Sequence, residues 1–353
     1  MDDPENSNDV IHMRRAVALA SLHRPHPNPR VGAVLVDSSG TVVGEGAHEG
    51  VGWPHAEVVA LEQAGDRAKN STLYVTLEPC VHYGNTPPCV TAIVSAGITK
   101  VVVGAIDPDP RVSGSGVAWL EDARIEVLTG LLADEVLNVD PAYFHNRRTG
   151  LPRVTLKWAM TIDGSIAAID GSSQWLTSEE ARADAHLLRA DVDAVVVGAG
   201  TVRSDDPELT IRLVQSVERQ PKAVIVAGAR DLPEAARIWS RDPLVISTRP
   251  RGVPSGEVVL VDGEGERPDP IETASVLADR GLLDVLLEGG SGLAGAWWRA
   301  GMVTRGVLYL AAKMGGGRGI GPLGGEFSSL AEAREVNIRE VRSVGSDLRI
   351  EFE

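Results

Sequence analysis

Two series of short, valine-rich segments alternate with helical patterns along this chain, and a Gly-x-Pro break near residue 150 separates them. Short apolar runs bounded by turn residues are typical of buried strands, whereas a spacing of three or four residues is typical of helices. In the first series, strands are predicted for VGAVLV (31–36), TLYVTL (72–77) and KVVVGA (100–105). Helices are predicted for VIHMRRAVALASL, HAEVVALEQAG and PPCVTAIVSAG. The first part of the chain is therefore predicted to be an α/β sandwich.

The segment 134–152 has a helical pattern that runs into the sequence RRTGLP, which predicts one helix and then a domain boundary. We expect two domains, residues 1–148 and 149–353. Strands of the second domain are predicted for RVTLKWAM, DAVVVGA, KAVIVAG, PLVIST, EVVLVD, LDVLLEGG and RGVLYLAA. Helices are predicted near 178–190, 271–281 and 293–301, and a loop at 249–256. The second domain is therefore also predicted to be α/β, with the larger sheet.

The charge of the chain argues against a nucleic-acid partner. It contains 34 basic and 49 acidic residues, for a formal net charge of -15, whereas nucleic-acid affinity depends on clustered Lys and Arg. The acidic N-terminal segment does not resemble a signal peptide, and no apolar run approaches the roughly 18 residues of a membrane span. We therefore expect a cytoplasmic enzyme that binds neither nucleic acid nor membrane.

The only two cysteines of the chain, Cys80 and Cys89, lie downstream of a His-x-Glu pair, His55 and Glu57. In a reducing compartment such cysteines are more often ligands or catalytic groups than a disulfide. Catalytic zinc sites have three protein ligands and one position for water, which an imidazole and two thiolates satisfy. A helix that begins at Cys89 lowers the pKa of its thiol and favours a bound thiolate. These residues predict a zinc site.

Glu57 lies two residues beyond His55, which places its carboxyl group within reach of a water molecule at the metal without making it a ligand. His-x-Glu followed by Pro-Cys and a second Cys is the pattern of zinc-dependent nucleobase deaminases. Deaminases of free or polynucleotide bases usually have Pro-Cys-x-x-Cys, but here eight residues separate the cysteines. Alternatives remain for each part of this pattern. The His-x-Glu pair could belong to a surface helix, and each cysteine could be a packed core residue. The whole group could be a structural zinc site, although these usually have four protein ligands, or the site of a nucleic-acid base deaminase.

Four stretches of the chain, taken together, indicate a family: HPNPRVGAVLVD, HAEVVALEQAG, VTLEPCVHYGNTPPC and LKWAMTIDGSIA with GSSQWLTS after it. They resemble the RibD family of bifunctional riboflavin biosynthesis enzymes, in which a pyrimidine deaminase is fused to a reductase. The resemblance implies an N-terminal cytidine-deaminase-like α/β/α sandwich followed by a dihydrofolate-reductase-like α/β domain. It implies zinc-dependent deamination of 2,5-diamino-6-ribosylamino-4(3H)-pyrimidinone 5′-phosphate, and then NADPH-dependent reduction of its ribosyl group to ribityl. It also implies a homo-oligomer.

In the deaminase domain, the resemblance assigns zinc binding to His55, Cys80 and Cys89 and proton donation to Glu57. Asn28 and His48 match positions that contact the pyrimidine, although a turn residue and an ordinary loop histidine are the alternatives. Asn85 departs from the family, because relatives commonly have Lys or Arg there. If that cation binds the substrate, its absence bears on deaminase affinity.

In the reductase domain, strand ends followed by small residues at 197–212 and 286–301 are suited to NADPH, because a helix N-terminus attracts the pyrophosphate. By resemblance, the cofactor contacts Ala159, Trp175, Thr201, Asp205, Gly290, Ser291, Gly292, Leu293, Ala294, Gly295 and Ala296. The substrate contacts Lys157, Ser173, Arg189, Leu209, Arg212 and Glu288. Relatives often have Asp-Ser where this chain has Gly228, and Arg230 beside it would suit the 2′-phosphate of NADPH.

Two arginines of this set, Arg189 and Arg212, are suited to bind the sugar phosphate as forks, with a surface ion pair as the alternative. Lys157 lies on an apolar strand, so its ammonium group is expected to reach a ligand or a carboxylate. A chain in which only one of the two domains is active remains the main functional alternative.

Overall fold

The computed structural model describes residues 7–82, 87–212 and 219–353. The chain divides into two compact units, one ending at Gly150 and the other beginning at Leu151. Asn85 lies outside the described residues. No helix in the described part of the chain combines the length and apolar composition needed to cross a membrane.

The first unit is built on a sheet that has five strands among the described residues. They are β1 (Gly32–Val36), β2 (Val42–Ala47), β3 (Thr72–Leu77), β4 (Lys100–Ala105) and β5 (Glu126–Thr129). The order across the sheet is β2-β1-β3-β4-β5; β1 is antiparallel to both neighbours, whereas β3, β4 and β5 are parallel. The central strands are buried along almost their whole length, as expected for a sheet covered on both faces.

Six helices of the described residues belong to this unit. They are α1 (Asn8–Ala20), α2 (Ala56–Ala64), α3 (Cys89–Ser95), α4 (Ser115–Asp122), α5 (Ala133–Val139) and α6 (Pro141–Thr149). The expected single helix over 134–152 is wrong, because Pro141 starts a second helix. The Asp140 side chain caps α6 by accepting a hydrogen bond from the Tyr143 N–H at 3.2 Å.

Strand β2 contains two glycines, and their absent side chains bring α2 close to the sheet. A Cβ at Gly44 would lie 2.1 Å from the Ala60 carbonyl oxygen, and one at Gly46 would lie 2.0 Å from that of Ala56. Helix α2 therefore packs directly on the strand backbone. This contact fixes the position of the helix start, where His55 and Glu57 lie.

The second unit contains a sheet of nine strands within the described residues. The strands are β6 (Arg153–Met160), β7 (Ala194–Gly198), β8 (Lys222–Ala227), β9 (Leu244–Ser247), β10 (Glu257–Leu260), β13 (Asp284–Leu287), β14 (Arg305–Leu310), β15 (Ile338–Val344) and β16 (Asp347–Phe352). Their order across the sheet is β10-β9-β8-β7-β13-β6-β14-β16-β15. The first seven strands in this order are parallel to one another, and β16 is antiparallel to both of its neighbours, β14 and β15. A small hairpin comprises β11 (Gly263–Glu264) and β12 (Arg267–Pro268).

Helices α7 (Glu179–Ala190), α8 (Ala199–Asp205), α9 (Pro270–Asp279) and α10 (Ser291–Arg299) complete this unit. Separate apolar clusters cover the two faces of its sheet, one around Ile225 and Leu286 and the other around Leu287 and Trp297. The seven strands predicted here are confirmed with ends shifted by at most three residues, and the larger second sheet is confirmed. Helix α8 and the β15–β16 hairpin were not predicted.

Candidate active sites

Three segments of the first unit bring the predicted metal ligands together. His55 is the residue before the first turn of α2, Cys80 follows the end of β3, and Cys89 is the first residue of α3. The His55 Nδ1 atom lies 3.1 Å from Cys89 Sγ and 3.5 Å from Cys80 Sγ. All three ligand atoms lie within 4.8 Å of one another, and both cysteines are free thiols.

These distances are suited to a metal ion. Two ligands at tetrahedral angles, with Zn–N and Zn–S bonds of ordinary length, lie about 3.5 Å apart. The Cys89 thiol and then the His55 imidazole lower the pKa of Cys80 against the opposing effect of its burial, whereas hydrogen bonding to Cys80 raises the pKa of Cys89. The three side chains therefore already form a polarised group with the composition and the spacing of a zinc site.

Glu57 lies in the first turn of α2 with only 3 % of its surface exposed, and burial raises the pKa of its carboxyl group. It faces a cavity of 300 Å³ that is shared by five of the residues predicted for the deaminase: Asn28, His48, His55, Glu57 and Cys80. The predicted proton carrier, the two residues predicted to contact the pyrimidine and two of the three predicted metal ligands therefore line one cavity.

His48 and Asn28 are linked at the wall of this cavity. His48 Nδ1 lies 3.1 Å from the Pro54 carbonyl oxygen, so Nδ1 carries a proton and donates to it. The other ring nitrogen, Nε2, lies 3.0 Å from the Asn28 side-chain nitrogen and accepts from it. Burial lowers the pKa of His48, in keeping with a neutral ring. His48 is therefore held in a defined tautomer and is not a free loop histidine.

The loop that carries Asn28 is attached to the last helix of the unit through a buried carboxylate. His26 Nε2 lies 2.8 Å from Asp140 Oδ1, and the Arg30 N–H donates to Asp140 Oδ2 at 2.9 Å. The side chains of His26 and Asp140 are 1 % and 3 % exposed. Asp140 also caps α6, so one carboxylate joins the loop to that helix.

Several cavity residues were not predicted from the sequence. They are Trp53, Glu78, His82, Asp107, Asp109, Arg111, Tyr143 and Arg147. The segment IDPDPR follows β4, which is parallel and adjacent to β3, so its side chains meet the residues that follow β3. The pairing of these two strand ends was the available signal, because β3 leads directly to Cys80.

Glu78 supports the loop that forms this wall. Its carboxylate accepts hydrogen bonds from the backbone N–H groups of Asp107, Gly114, Gly116 and Val117 at 2.8 to 3.2 Å. Asp107 in turn accepts from the Tyr143 hydroxyl at 3.1 Å. Glu78 therefore fixes the backbone of the segment that carries Asp107 to the cavity.

In the second unit, Glu288 follows β13 near the middle of the large sheet and is the centre of a charged cluster. Arg189 binds it as a fork, with Nε at 2.6 Å and Nη2 at 2.9 Å from the two carboxylate oxygens. The Lys157 ammonium lies 3.9 Å from the same carboxylate, which confirms the expectation that it reaches one. The Arg189 fork therefore holds a protein carboxylate in this structure.

Burial disfavours the charged forms of the side chains in this cluster, but their oppositely charged neighbours act against that effect. Although burial alone would raise it, Arg189 and then Lys157 lower the pKa of Glu288 to about 2. Burial lowers the pKa of Lys157, and Glu288 opposes the shift. Burial and then Arg189 lower the pKa of His186, which lies on α7 together with Arg189, to about 4. The cluster has an excess of positive charge, which suits an anionic ligand.

Two further residues predicted to contact the substrate, Arg212 and Leu209, differ in burial. Arg212 is half exposed, and its guanidinium pairs with Glu208 at 2.7 Å. Its backbone N–H donates to His186 Nδ1 at 3.3 Å. Leu209 is buried with a positive φ of 54°. The structure therefore connects Arg212 to α7, the helix that carries Arg189.

The residues predicted for the cofactor lie at the carboxyl ends of adjacent parallel strands. Thr201 and Asp205 are on α8 after β7, and 290–296 forms the start of α10 after β13. A Cβ at Gly290 would lie 4.0 Å from the Thr201 hydroxyl oxygen, so the two strand ends are close together. Among the described residues, no side chain caps the first turn of α10. Its N–H groups remain suited to an anion.

A cavity of 390 Å³ contains two more of the predicted residues, Ser173 and Trp175. The Trp175 ring is 64 % exposed and stacks against the Arg182 guanidinium at 4.6 Å. Ala159 lies on β6 and pairs with Tyr309 of β14. The loop residue Asp163 accepts hydrogen bonds from the N–H groups of Gly315 and Gly316 at 3.1 and 2.7 Å, which joins the two segments around the cavity.

Comparison with known families agrees with both sites. Residues 6–105 match the model described as the cytidine and deoxycytidylate deaminase zinc-binding region, and residues 152–350 match the RibD C-terminal domain. The chain is 39% identical to the riboflavin biosynthesis protein RibD of Aquifex aeolicus (strain VF5), over 98% of each chain. It is 38% identical to that of Escherichia coli (strain K12), over 96% of this chain and 98% of the relative.

Solved structures give the same result. A RibD structure from Acinetobacter baumannii is 34% identical with a TM-score of 0.88, and covers 98% of both chains. A diaminohydroxyphosphoribosylaminopyrimidine deaminase/5-amino-6-(5-phosphoribosylamino)uracil reductase from Thermotoga maritima is 33% identical with a TM-score of 0.85, again over 98% of both. The chain therefore belongs to the RibD family, as a bifunctional enzyme of riboflavin biosynthesis with a zinc-dependent deaminase and an NADPH-dependent reductase.

Proposed function

We propose that residues 1–148 deaminate 2,5-diamino-6-ribosylamino-4(3H)-pyrimidinone 5′-phosphate and that residues 149–353 reduce the ribosyl group of the product. The final product is then 5-amino-6-ribitylamino-uracil 5′-phosphate. The observation that carries the proposal is the cavity in which Glu57 lies beside His55 and Cys80, with Cys89 in contact with both ligands.

His55, Cys80 and Cys89 hold the metal ion in this proposal. Their nitrogen–sulfur distances of 3.1 and 3.5 Å are close to the value of about 3.5 Å for tetrahedral ligands. Three protein ligands leave one position for water. When bound, Zn²⁺ supplies Lewis acidity that lowers the pKa of that water.

Glu57 moves the proton in the deamination step. Its place in the first turn of α2, two residues after His55, puts the carboxyl group beside the ligands without making it one. It accepts a proton from the attacking water and donates it to the amino nitrogen, which leaves as ammonia. Asn28 and His48 orient the pyrimidine, because their hydrogen bond fixes both side chains at the cavity wall.

In the reductase, the start of α10 at 290–296 holds the NADPH pyrophosphate, together with Thr201 and Asp205 after β7. Ala159 and Trp175 contact the cofactor farther along the same sheet edge. NADPH supplies the hydride, and the protein supplies its position and electrostatic environment.

The substrate of the reductase contacts Lys157, Ser173, Arg189, Leu209, Arg212 and Glu288. Since Arg189 is forked onto Glu288, its main role is to position that carboxylate. The half-exposed Arg212 is the arginine that binds the phosphate.

The enzyme acts on a small molecule, and we place it in the cytoplasm as a homo-oligomer that binds neither nucleic acid nor membrane. The net charge of -15 supports the absence of a nucleic-acid partner.

The experiment that tests this function measures zinc content, ammonia release and NADPH oxidation separately on the full chain. We expect Glu57→Gln to reduce ammonia release by about a hundredfold to ten-thousandfold, because it removes the group that transfers the proton. NADPH oxidation with the deaminated intermediate stays at the wild-type rate. Glu62→Gln, on the exposed face of the same helix, is the matched control. Retained ammonia release in Glu57→Gln contradicts the proposed role.

A further inference from the structure

The ammonium group of Lys157 lies over an aromatic ring in the second unit. Its Nζ atom is 5.9 Å from the centroid of the Tyr309 ring, a distance at which the face of a ring attracts a cation. Lys157 pairs with Val307, which lies two residues before Tyr309 on β14, and alternate residues of a strand face the same side of the sheet. Tyr309 is 1 % exposed. The buried ring therefore lies on the face of the sheet that carries Lys157.

A carboxylate holds this ring in place. The Tyr309 hydroxyl group donates to Asp184 Oδ2 at 2.6 Å. Asp184 lies on α7, and two arginines of the antiparallel edge strands pair with it: Arg342 of β15 at 2.6 Å and Arg349 of β16 at 3.2 Å. Burial, and then the hydrogen bond to Asp184, raise the pKa of Tyr309, so its hydroxyl group stays protonated as a donor. The edge strands therefore fix the ring through Asp184.

The hydrogen-bond donors of Lys157 are not used by the protein. Its ammonium group makes no hydrogen bond within the described part of the chain, and Glu288 Oε2, at 3.9 Å, is too far away for one. Attraction by Glu288 and repulsion by Arg189 act on the group together with the ring. Its three N–H donors therefore remain for a ligand, at a position that the ring and Glu288 set between them.

We infer that Tyr309 is a positioning residue of the reductase, whose ring face holds the Lys157 ammonium group where it donates to an oxygen atom of the sugar substrate. This inference rests on the proposed role of Lys157 as a substrate contact. A carboxylate in the place of the ring would accept hydrogen bonds from the ammonium group and compete with the substrate. A ring face attracts the cation through its quadrupole instead.

The test compares Tyr309→Leu with Tyr309→Phe in the full chain. The rate of NADPH oxidation with the deaminated intermediate is measured over a range of pH. Tyr309→Leu removes the ring and should lower kcat about fivefold to thirtyfold, because the cation–π contact is lost. Tyr309→Phe keeps the ring in its buried site and should retain kcat within about a factor of three.

The pH profile distinguishes positioning from a structural role. Burial already lowers the pKa of Lys157, and loss of the ring lowers it further, because the ring favours the charged form. In Tyr309→Leu the rate should therefore decline at a pH about half a unit lower than in the wild type. The neighbouring groups do not titrate in this range: the pKa of Glu288 is about 2, that of His186 is about 4, and Arg189 stays charged.

Ile225→Val is the control. It removes buried volume from the same core cluster but lies on β8, three strands away from β6. It should leave both kcat and the pH profile unchanged. If the leucine variant does not fold, Tyr309→Met fills more of the volume without a ring, and the same decrease in kcat and the same shift in the pH profile are expected. Ammonia release should stay at the wild-type rate in all of these variants.

Two results overturn the inference. One is wild-type kcat and an unshifted pH profile in Tyr309→Leu while Lys157→Met loses NADPH oxidation, which leaves the proposed role of Lys157 intact. The other is an equal loss of kcat in Tyr309→Leu and Tyr309→Phe with unshifted pH profiles, which indicates a structural role for Tyr309. NADPH oxidation at the wild-type rate in Lys157→Met contradicts the proposed role of Lys157 itself.

Discussion

The deaminase and reductase sites are built in opposite ways. In the deaminase site, Glu57 and the predicted metal ligands come from one short stretch, 55–89, in which the end of one strand and the starts of two helices meet. The reductase groups are spread from Lys157 to Ala296, and those that follow β7 and β13 lie near one another because these neighbouring strands are parallel and end at the same edge. The two sites also differ in the chemical character of their side chains. The imidazole and the thiols form a donor set suited to a cation, whereas Glu288 and its cationic partners bind one another.

This difference predicts which substitutions affect activity and which affect folding. A local donor set contributes mainly to ligand binding, since its parts are held by strands and helices that do not depend on it. A buried charged cluster contributes to both, because removing one partner leaves the others without compensation.

The largest effect is expected for Cys89→Ser. This change replaces a soft ligand and should reduce ammonia release by at least about a thousandfold, because metal activation of water is worth several kcal/mol. Zinc content per chain, measured by atomic absorption, should fall in parallel. Reduction of the deaminated intermediate by NADPH should not change.

Cys89→Ala controls for any weak ligation by the serine hydroxyl. Full ammonia release by either variant in the absence of bound zinc would contradict the view that the deaminase groups act as a metal-binding donor set.

A smaller effect, on stability, is expected for Glu288→Gln. It leaves Arg189 and Lys157 largely buried without a carboxylate, and we expect a loss of about 3 kcal/mol in the free energy of unfolding. Urea unfolding measures it. Glu257→Gln removes an exposed partner of Arg280 from the same sheet and should change stability little.

The Glu288 contribution should also depend on pH. Its folded-state pKa of about 2 lies below the ordinary value of 4.5, so the stabilisation is complete above about pH 4.5. It is lost as the pH falls toward 2. The difference in stability between the wild type and Glu288→Gln should therefore shrink over this range. A difference that stays constant between pH 5 and pH 3 would contradict the assigned charge state.

The smallest effect is expected for Gly228→Ser, which adds the hydroxyl that the family resemblance implies near this position. The site has room for it, because a Cβ meets no atom closer than 3.8 Å. One added hydrogen bond is worth about 1 kcal/mol, so the dissociation constant for NADPH should fall by a factor of about five. Fluorescence titration measures it, and Gly228→Ala, which adds the Cβ without the hydroxyl, is the control. An equal gain in both variants would assign the effect to the backbone.

The sequence predicted the buried strands well, because parallel strands covered on both faces are continuous apolar runs, as in β7 and β8. It failed where burial was incomplete. Strands β15 and β16, at the sheet edge, mix charged and apolar residues, and β2 contains glycines that sequence rules associate with turns. The single helix expected at 134–152 failed for a local reason, since the Asp140 cap and Pro141 together start a new helix.

The close grouping of His55, Cys80 and Cys89 could be predicted because their spacing is set by local elements. Asp107 and Tyr143 could not, since their place in the cavity depends on the pairing of β3 with β4 and on the position of α6. The Arg189–Glu288 fork was missed for the same reason: the two residues are far apart in sequence, and the pattern around each indicated only a charged side chain near a strand or helix end.

The carboxylate of Asp140 has a practical consequence for separating the two activities. It ties the segment of His26 and Arg30, and with it Asn28, to the start of α6. A shortened deaminase that stops after α5 would keep every side chain that we propose to bind zinc and still lose the anchor of the loop that carries Asn28. Such a fragment would bind metal yet handle its substrate poorly, so a cut intended to free the first activity belongs after residue 149.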